Sequence, residues 1–290
     1  MRYIQLRAFN AVAREQSFSK AAEALNVTQP AITLHVQALE RTHGLKLFTR
    51  AGRGISLTAD GEALFQLTRQ MFATETEIAE YLQGSEALEH GHLSLSADGP
   101  HVALDIVSEF RTRHPGIDIR MRLGNAETTL ADVMSQTVDV CVVANPPRNN
   151  QLLIVPIMRQ SMVAVVANDH AWAKRASIRL ADLKGQPLIF RESGSNTRHI
   201  LERALGKRRI EIDPVLELGS REAVREAVAL GLGIGFMQER ETAGDNRVTP
   251  VRIDEMLGTN LATLVCLKRQ AKRKTVAAMI RVARDLSSLP

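Results

Sequence analysis

Residues 17–32 read SFSKAAEALNVTQPAI, and this stretch decides the N-terminal fold. Ser17 has the side chain of a helix N-cap, and Phe18, Ala21, Ala22 and Leu25 follow at helical spacing. Asn26 and Val27 make a short turn. Thr28 is a second N-cap residue, and Pro30 falls in the first turn of the next helix, where a missing N–H costs nothing. That helix turns Ile32, Val36 and Leu39 inward and leaves Gln29, Thr33, His35 and Gln37 on its other face. Two short helices, a tight turn and a small-residue contact at Ala21 and Ala22 predict a helix-turn-helix. Its second helix would enter a DNA major groove, N-terminal residues first.

Outward from this motif the pattern stays consistent. Upstream, Leu6, Phe9 and Val12 place a helix over residues 3–14. Downstream, Leu47–Arg50, the glycine turn Ala51–Gly54 and Ile55–Thr58 read as a hairpin with basic residues at its tip. Such a wing would set Arg50 and Arg53 against the phosphate backbone. The charge distribution agrees. Residues 1–58 hold Arg2, Arg7, Arg14, Lys20, Arg41, Lys46, Arg50 and Arg53 against Glu15, Glu23 and Glu40, which accounts for the whole net charge of +5. A surplus confined to one end of the chain points to a polyanion there.

Residues 9–61, FNAVAREQSFSKAAEALNVTQPAITLHVQALERTHGLKLFTRAGRGISLTADG, resemble the DNA-binding domain of LysR-type transcriptional regulators. The motif and the resemblance together make Ser17, Ser19, Thr28, Gln29, Pro30, Thr33, His35, Gln37, Arg50 and Arg53 the candidate contacts to double-stranded promoter DNA. The family often carries Arg where this chain has Leu34, a side chain that contacts neither phosphate nor guanine. His35 beside it is either a base or phosphate contact or a solvent-facing histidine.

Thr58 can cap a helix that runs to about residue 89. Leu64, Leu67, Met71, Thr74, Ile78 and Tyr81 form a heptad-like seam, with Glu75, Glu77 and Glu80 away from it. A helix this long cannot bury its seam on a small wing domain alone, so it predicts a dimer, which suits a near-palindromic DNA site. In the family this segment is the linker helix, and the resemblance implies a dimer of dimers.

From residue 92 strands and helices alternate, which predicts parallel α/β architecture. Strands are expected at 92–96, 117–123, 138–144, 162–167, 188–190, 215–218, 234–237 and 261–267. Helices are expected at 102–110, 127–134, 197–204, 221–230 and 275–287. The fold class is thus α/β behind a mostly helical winged helix-turn-helix: a DNA-binding domain (1–58), a linker helix (59–89) and a periplasmic-binding-protein-like effector domain (90–290). The resemblance implies two subdomains, one from residues 90–161 plus 266–290 and one from 162–265, with a cleft between them.

Ligands of open α/β sheets bind at the carboxyl ends of strands, facing helix N-termini. Four turns qualify: Ser96–His101, Gly124–Thr129, Ser193–Arg198 and Gly219–Arg221. They supply the candidate ligand residues Ser96, Asp98, His101, Asn125, Thr128, Ser193, Ser195, Asn196, Thr197, Arg198 and Ser220. Hydroxyls, amides and Arg198 favour an anion, although Ser193, Ser195 and Ser220 could equally cap helices. Residues 93–130, 190–202 and 217–236 resemble the LysR-type subgroup associated with 2-aminoethylphosphonate catabolism. That ligand's phosphonate would suit the Ser193–Arg198 turn, and its ammonium would need Asp98 or Glu222.

Other classes are disfavoured. There is no nucleophile elbow, metal-ligand spacing or phosphate loop, and His90, His92, His101 and His114 are scattered, so neither an enzyme nor a metal or cofactor site is expected. Gly231–Gly235 follows a helix rather than opening one and reads as a helix stop before a strand. Met1–Gln5 lacks an apolar signal core and no run is long enough for a membrane span, so a cytoplasmic protein is expected rather than an exported solute-binding one. Cys141 and Cys266 sit in apolar strands as buried thiols. The basic run Lys268–Lys274 reads as a solvated strand-to-helix connection.

Overall fold

The computed structural model describes every residue except 52, 53, 83–90, 256, 259 and 288–290. It divides into two compact units, Met1–Ser85 and Glu86–Pro290.

The first unit runs α1 (Tyr3–Glu15), α2 (Phe18–Leu25), α3 (Gln29–His43), β1 (Phe48–Ala51), β2 (Gly54–Leu57) and α4 (Ala59–Leu82). The Ser17 hydroxyl accepts from Lys20 N at 3.3 Å and starts α2 as expected. Asn26 then takes a left-handed conformation that aims α3 across α2. Thr28 occupies the N-cap of α3, but its side chain makes no capping bond, so Pro30 and the backbone alone set that start. Phe9, Val12, Ile32, Val36, Leu39 and Leu47 form the core, with Phe18, Phe48, Phe65 and Phe72 packed around it. The Thr58 hydroxyl accepts from Gly61 N at 3.0 Å and opens α4. A Cβ at Gly61 would fall 2.1 Å from the Leu47 carbonyl oxygen, so this close approach of α4 to the wing admits only glycine.

α4 divides its apolar residues between two faces. Phe65, Thr68 and Phe72 lie against α1, where Asn10 donates to the Thr68 hydroxyl at 3.1 Å and Tyr3 meets Phe72 edge to face. Leu67, Met71 and Ile78 form a separate exposed stripe, with Leu67 66% and Ile78 55% exposed. Tyr81's side chain and residues 83–89 of the expected linker lie outside the described residues.

The second unit holds two subdomains. In the first, β3 (Gly91–Ala97), α5 (Pro100–Arg113), β4 (Ile117–Leu123), α6 (Ala126–Met134), β5 (Val140–Ala144) and β6 (Leu152–Arg159) lead out of the sheet. The second comprises β7 (Met162–Ala167), β8 (Ser177–Ile178), β9 (Leu188–Arg191), α7 (Asn196–Lys207), β10 (Pro214–Leu218), α8 (Arg221–Ala229), β11 (Gly235–Gln238) and β12 (Val248–Ile253). The chain returns through β13 (Leu261–Leu267) and closes with α9 (Lys274–Asp285). The first sheet has the order β4-β3-β5-β13-β6. The second has the order β11-β7-β12-β8, flanked by the pair β9-β10 through a bridge between Leu188 and Ile234.

Three expectations need correction. The sheets are mixed rather than parallel: β3, β4 and β5 are parallel, but β13 runs antiparallel to both its neighbours, and β7 is antiparallel to β11 and β12. A wholly buried strand such as β13 carries no mark of its direction. The return to the first subdomain begins at Leu261, not Cys266, because all of β13 lies in the first sheet. Three strands were not foreseen: β8, only two residues long, and β6 and β12, each of which contains a proline. Pro156 sits on an edge strand opposite a register shift, and Pro250 lies beyond the two residues of β12 that β8 pairs with. The Gly231–Gly235 reading holds: Gly231 (φ 73°) stops α8, and Gly235 opens β11 against Val224 and Val228.

Cys141 packs with Val133, Val143 and Val265 on one face of the first sheet, and Cys266 with Val140, Val142 and Leu264 on the other. Burial pushes the Cys266 thiol up to about 11 and Cys141 higher still.

Candidate functional site

In the first unit α3 buries Ile32, Val36 and Leu39 and turns Pro30, Leu34, Gln37 and Arg41 to solvent. Gln29 and Thr28 are exposed at its N-terminus, as is Ser19 on α2, while Ser17 is half-buried by its capping role. Thr33 is half-buried and its hydroxyl donates to the Gln29 carbonyl at 3.0 Å. His35 is half-buried on the flank of the helix rather than at the centre of its exposed face. Arg50 lies on β1, but its side chain, like Arg53 at the turn, lies outside the described residues.

In the second unit a cleft opens between the carboxyl ends of β3 and β9. It encloses about 30 Å³ as it stands, room for a water or two. Asp98, His101 and Asn125 line it from the first subdomain; Arg191, Ser195, Asn196, Thr197, Arg221, Gln238 and Glu241 line it from the second. Polar contacts bridge its two sides, among them Asn145 to Asn196 and Asn125 to Glu192. Glu127 N donates to the Gly194 carbonyl at 3.3 Å, and Arg240 pairs with Asp105 at 2.9 Å. Asn196 donates to Asn260 at 3.2 Å.

The four helix starts around the cleft are not equivalent. Asn125 caps α6 by accepting from Thr128 N at 2.9 Å, and Ser220 caps α8 by accepting from Ala223 N at 3.0 Å. Gly99 starts α5 with no side chain to offer. Ser195 starts α7, is 3% exposed and lines the cleft, yet its hydroxyl makes no capping bond. The first intrahelical bond of α7 is from His199 N to Ser195 O, which leaves the N–H groups of Asn196, Thr197 and Arg198 beyond the helical ladder. Where serine could cap or bind, the structure therefore separates the two uses: Ser220 caps, and Ser195 faces the cleft with its hydroxyl unspent.

Other expected ligand residues stand elsewhere. Ser96 is buried within β3 and donates to the Thr129 carbonyl at 3.3 Å. Thr128 closes a reciprocal capping box with Asn125, and Ser193 is exposed outside the cleft. Arg198 turns back to Glu202 and Glu217, both at 2.6 Å, over the Phe190 ring, so it is not the cleft's cation. Glu222 is exposed and absent from the lining. His101 sits at the exposed rim.

Sequence reasoning missed Arg191, Arg221, Gln238 and Glu241. The position of Arg191 at the carboxyl end of a strand was the signal available for it. The cations of the cleft are already engaged: Arg191 makes two bonds to Glu192, at 2.7 and 2.8 Å, and Arg221 approaches Glu241 at 2.9 Å. Burial raises the Glu192 pKa, but the Arg191 pairing outweighs this and holds it below the usual value. Asp98 is the opposite case. Its carboxylate accepts from Ala144 N at 3.0 Å, but burial dominates and pushes its pKa up, against the Arg221 and Arg191 charges. The cleft thus offers free donors at the α7 N-terminus and an under-compensated carboxylate at Asp98.

Two family models match this chain: bacterial regulatory helix-turn-helix protein, lysR family, over residues 4–62, and LysR substrate binding domain over residues 86–288. The chain is 34% identical over 235 residues to the RuBisCO operon transcriptional regulator of Allochromatium vinosum, covering 80% of this chain and 78% of that protein. It is 32% identical over 235 residues to the HTH-type transcriptional activator CmpR of Synechocystis sp., covering 80% and 77%. The solved structure of full-length CbnR complexed with its target DNA shares the fold, with a TM-score of 0.72 over 99% of this chain and 100% of that one, at 20% identity.

Proposed function

The chain belongs to the lysR family of bacterial regulatory helix-turn-helix proteins, and on that footing we propose that its cleft binds a small zwitterion, anionic end at the α7 N-terminus and cationic end at Asp98. Like its relatives it is a DNA-binding transcriptional regulator with an effector-binding domain, not an enzyme.

One observation carries the ligand reading. α7 starts without a side-chain cap while the buried Ser195 hydroxyl lines the cleft. Backbone N–H groups at a helix start, with the positive end of its dipole, stabilise an anion directly. Arg191 and Arg221 add positive potential although each already has a carboxylate neighbour. A wholly anionic ligand would meet Asp98 unfavourably, whereas an ammonium there would compensate the buried charge. 2-Aminoethylphosphonate has both groups and is the first ligand to test. CmpR and the RuBisCO operon regulator carry no phosphonate in their names, so the choice rests on the chemistry of the cleft. Any ligand of more than a few atoms must part the two subdomains, exchanging the polar contacts that bridge the cleft for contacts of its own.

The exposed stripe Leu67, Met71 and Ile78 on α4 supports self-association through that helix. A two-fold dimer would then present two α3 helices to a near-palindromic promoter site in the cytoplasm, and two dimers would make a tetramer. Ligand closure of the cleft would bias the subunit arrangement and so the DNA complex.

The test is isothermal titration of the full chain with 2-aminoethylphosphonate, alongside Ser195→Ala. A hydrogen bond to a charged group is worth about 1.5–3 kcal/mol, so the variant should bind roughly ten- to a hundredfold more weakly. No heat with this phosphonate, beside a clear response to another metabolite that Ser195→Ala weakens, removes the phosphonate and keeps the site. Unchanged affinity in Ser195→Ala removes the α7 site.

A further inference from the structure

Leu34 is the sixth residue of α3 and 60% exposed. It lies in the stripe Pro30, Leu34, Gln37 and Arg41, opposite the buried Ile32, Val36 and Leu39. This is the N-terminal half of the helix that enters the major groove, the part whose side chains reach base edges. A leucine there can neither donate nor accept a hydrogen bond. Set against guanine N7 and O6, adenine N6 and N7 or cytosine N4, it would strip water from a polar edge and leave it unpaired, at a cost. Thymine alone presents an apolar group in the major groove, its C5 methyl, and there both surfaces gain by losing water. Thr33 beside it is half-buried, with its hydroxyl donating to the Gln29 carbonyl at 3.0 Å, and so presents less side chain to the groove than Leu34.

We propose that Leu34 is a specificity-determining residue that reads the C5 methyl of one thymine in each operator half-site. This rests on the DNA-binding role of the family and goes beyond it, by assigning one base and one group on that base to one side chain.

The experiment uses the full chain. Footprinting on the DNA flanking its own gene locates the half-sites. Each thymine within them is then replaced singly by deoxyuridine, which deletes only the methyl group. Binding is measured for wild type and for Leu34→Ala. Losing one methyl from a buried apolar contact should weaken wild-type binding about fourfold at one thymine per half-site, equivalent to about 0.8 kcal/mol. In Leu34→Ala the same replacement should cost little, so the double-mutant cycle shows coupling at that thymine and at no other. Replacing that thymine by cytosine should cost more than fourfold, and 5-methylcytosine should recover part of the loss.

Leu34→Ala should keep wild-type affinity and salt dependence on unrelated DNA, because phosphate contacts set both. That control separates a lost base contact from a damaged helix. A wild-type chain that prefers flanking DNA, yet has no thymine whose methyl couples to Leu34, overturns the assignment while sparing the regulator. A wild-type chain with no preference for any flanking DNA overturns the DNA-reading premise and the assignment with it.

Discussion

The apolar stripe on α4 gives a quantitative expectation for self-association. Leu67→Ala removes three side-chain carbons from a residue that is 66% exposed within its own chain. Burial is worth about 0.8 kcal/mol per carbon, so covering the two-thirds now in water contributes about 1.6 kcal/mol per copy. A two-fold interface uses the same residue from both subunits, so the dimer should lose about 3.2 kcal/mol, roughly two hundredfold in Kd. This is an upper figure, reached if the partner covers Leu67 completely. Analytical ultracentrifugation over a concentration series reads the Kd directly. The thermal melt of the monomer should hardly move, because the side chain makes little contact within its own unit. A dimer Kd unchanged in Leu67→Ala, with a normal melt, would show that the stripe is not the seam. A lowered melt would show instead that Leu67 supports its own unit.

Other consequences follow from single contacts. Gly61→Ala should destabilise the first unit by about 1–3 kcal/mol, since the added Cβ collides with the rigid Leu47 carbonyl; an unchanged melt would contradict that packing. Asp98 gives ligand binding a pH dependence of definite sign. Burial raises its folded pKa, so it holds a proton above the usual carboxylate range, while a ligand ammonium favours the ionised form and expels that proton. Affinity should therefore fall as pH drops through the raised pKa and level off above it. Asp98→Asn should bind weakly with a flat profile, and titrations at several pH values would expose the opposite slope. Cys141 and Cys266 should resist alkylation until the protein unfolds and should not form a disulfide with each other under oxidant. Both are buried with raised pKa values on opposite faces of one sheet. Rapid labelling of the native chain with a thiol reagent would refute this. Arg198→Ala should lower stability, through its lost bonds to Glu202 and Glu217, without weakening ligand binding; a loss of affinity at unchanged stability would return Arg198 to the cleft.

What the sequence determined by itself is local. The helix-turn-helix is written in a capping serine, a short Asn-Val turn, an N-terminal proline and a three-residue apolar stripe, all within thirty residues. Those signals act through neighbours along the chain, so they can be read in order. Most strands and helices of the second unit were legible for the same reason, and the strands at 162–167 and 261–267 match to the residue. The exceptions were the two-residue β8, and β6 and β12, where each proline sits at a position with no strand partner on one side. That is a fact about neighbours far along the chain.

What only the tertiary structure decided is which of several equivalent local signals is free to act. Ser195 and Ser220 look alike in sequence, each before a helix at the end of a strand. One spends its hydroxyl on its own backbone, and the other lines the cleft without making a capping bond. Arg198 and Arg191 stand seven residues apart around the same turn, yet Glu202 and Glu217 draw the first away while the second lines the site. Asp98 sits under-compensated because burial strips its water, and Arg221 and Arg191, more than ninety positions away, only partly offset that loss. Composition and spacing list the groups a chain can offer. Their pairing depends on distances that close only when strands remote in sequence meet, and that pairing sets the charge and donors left for a ligand.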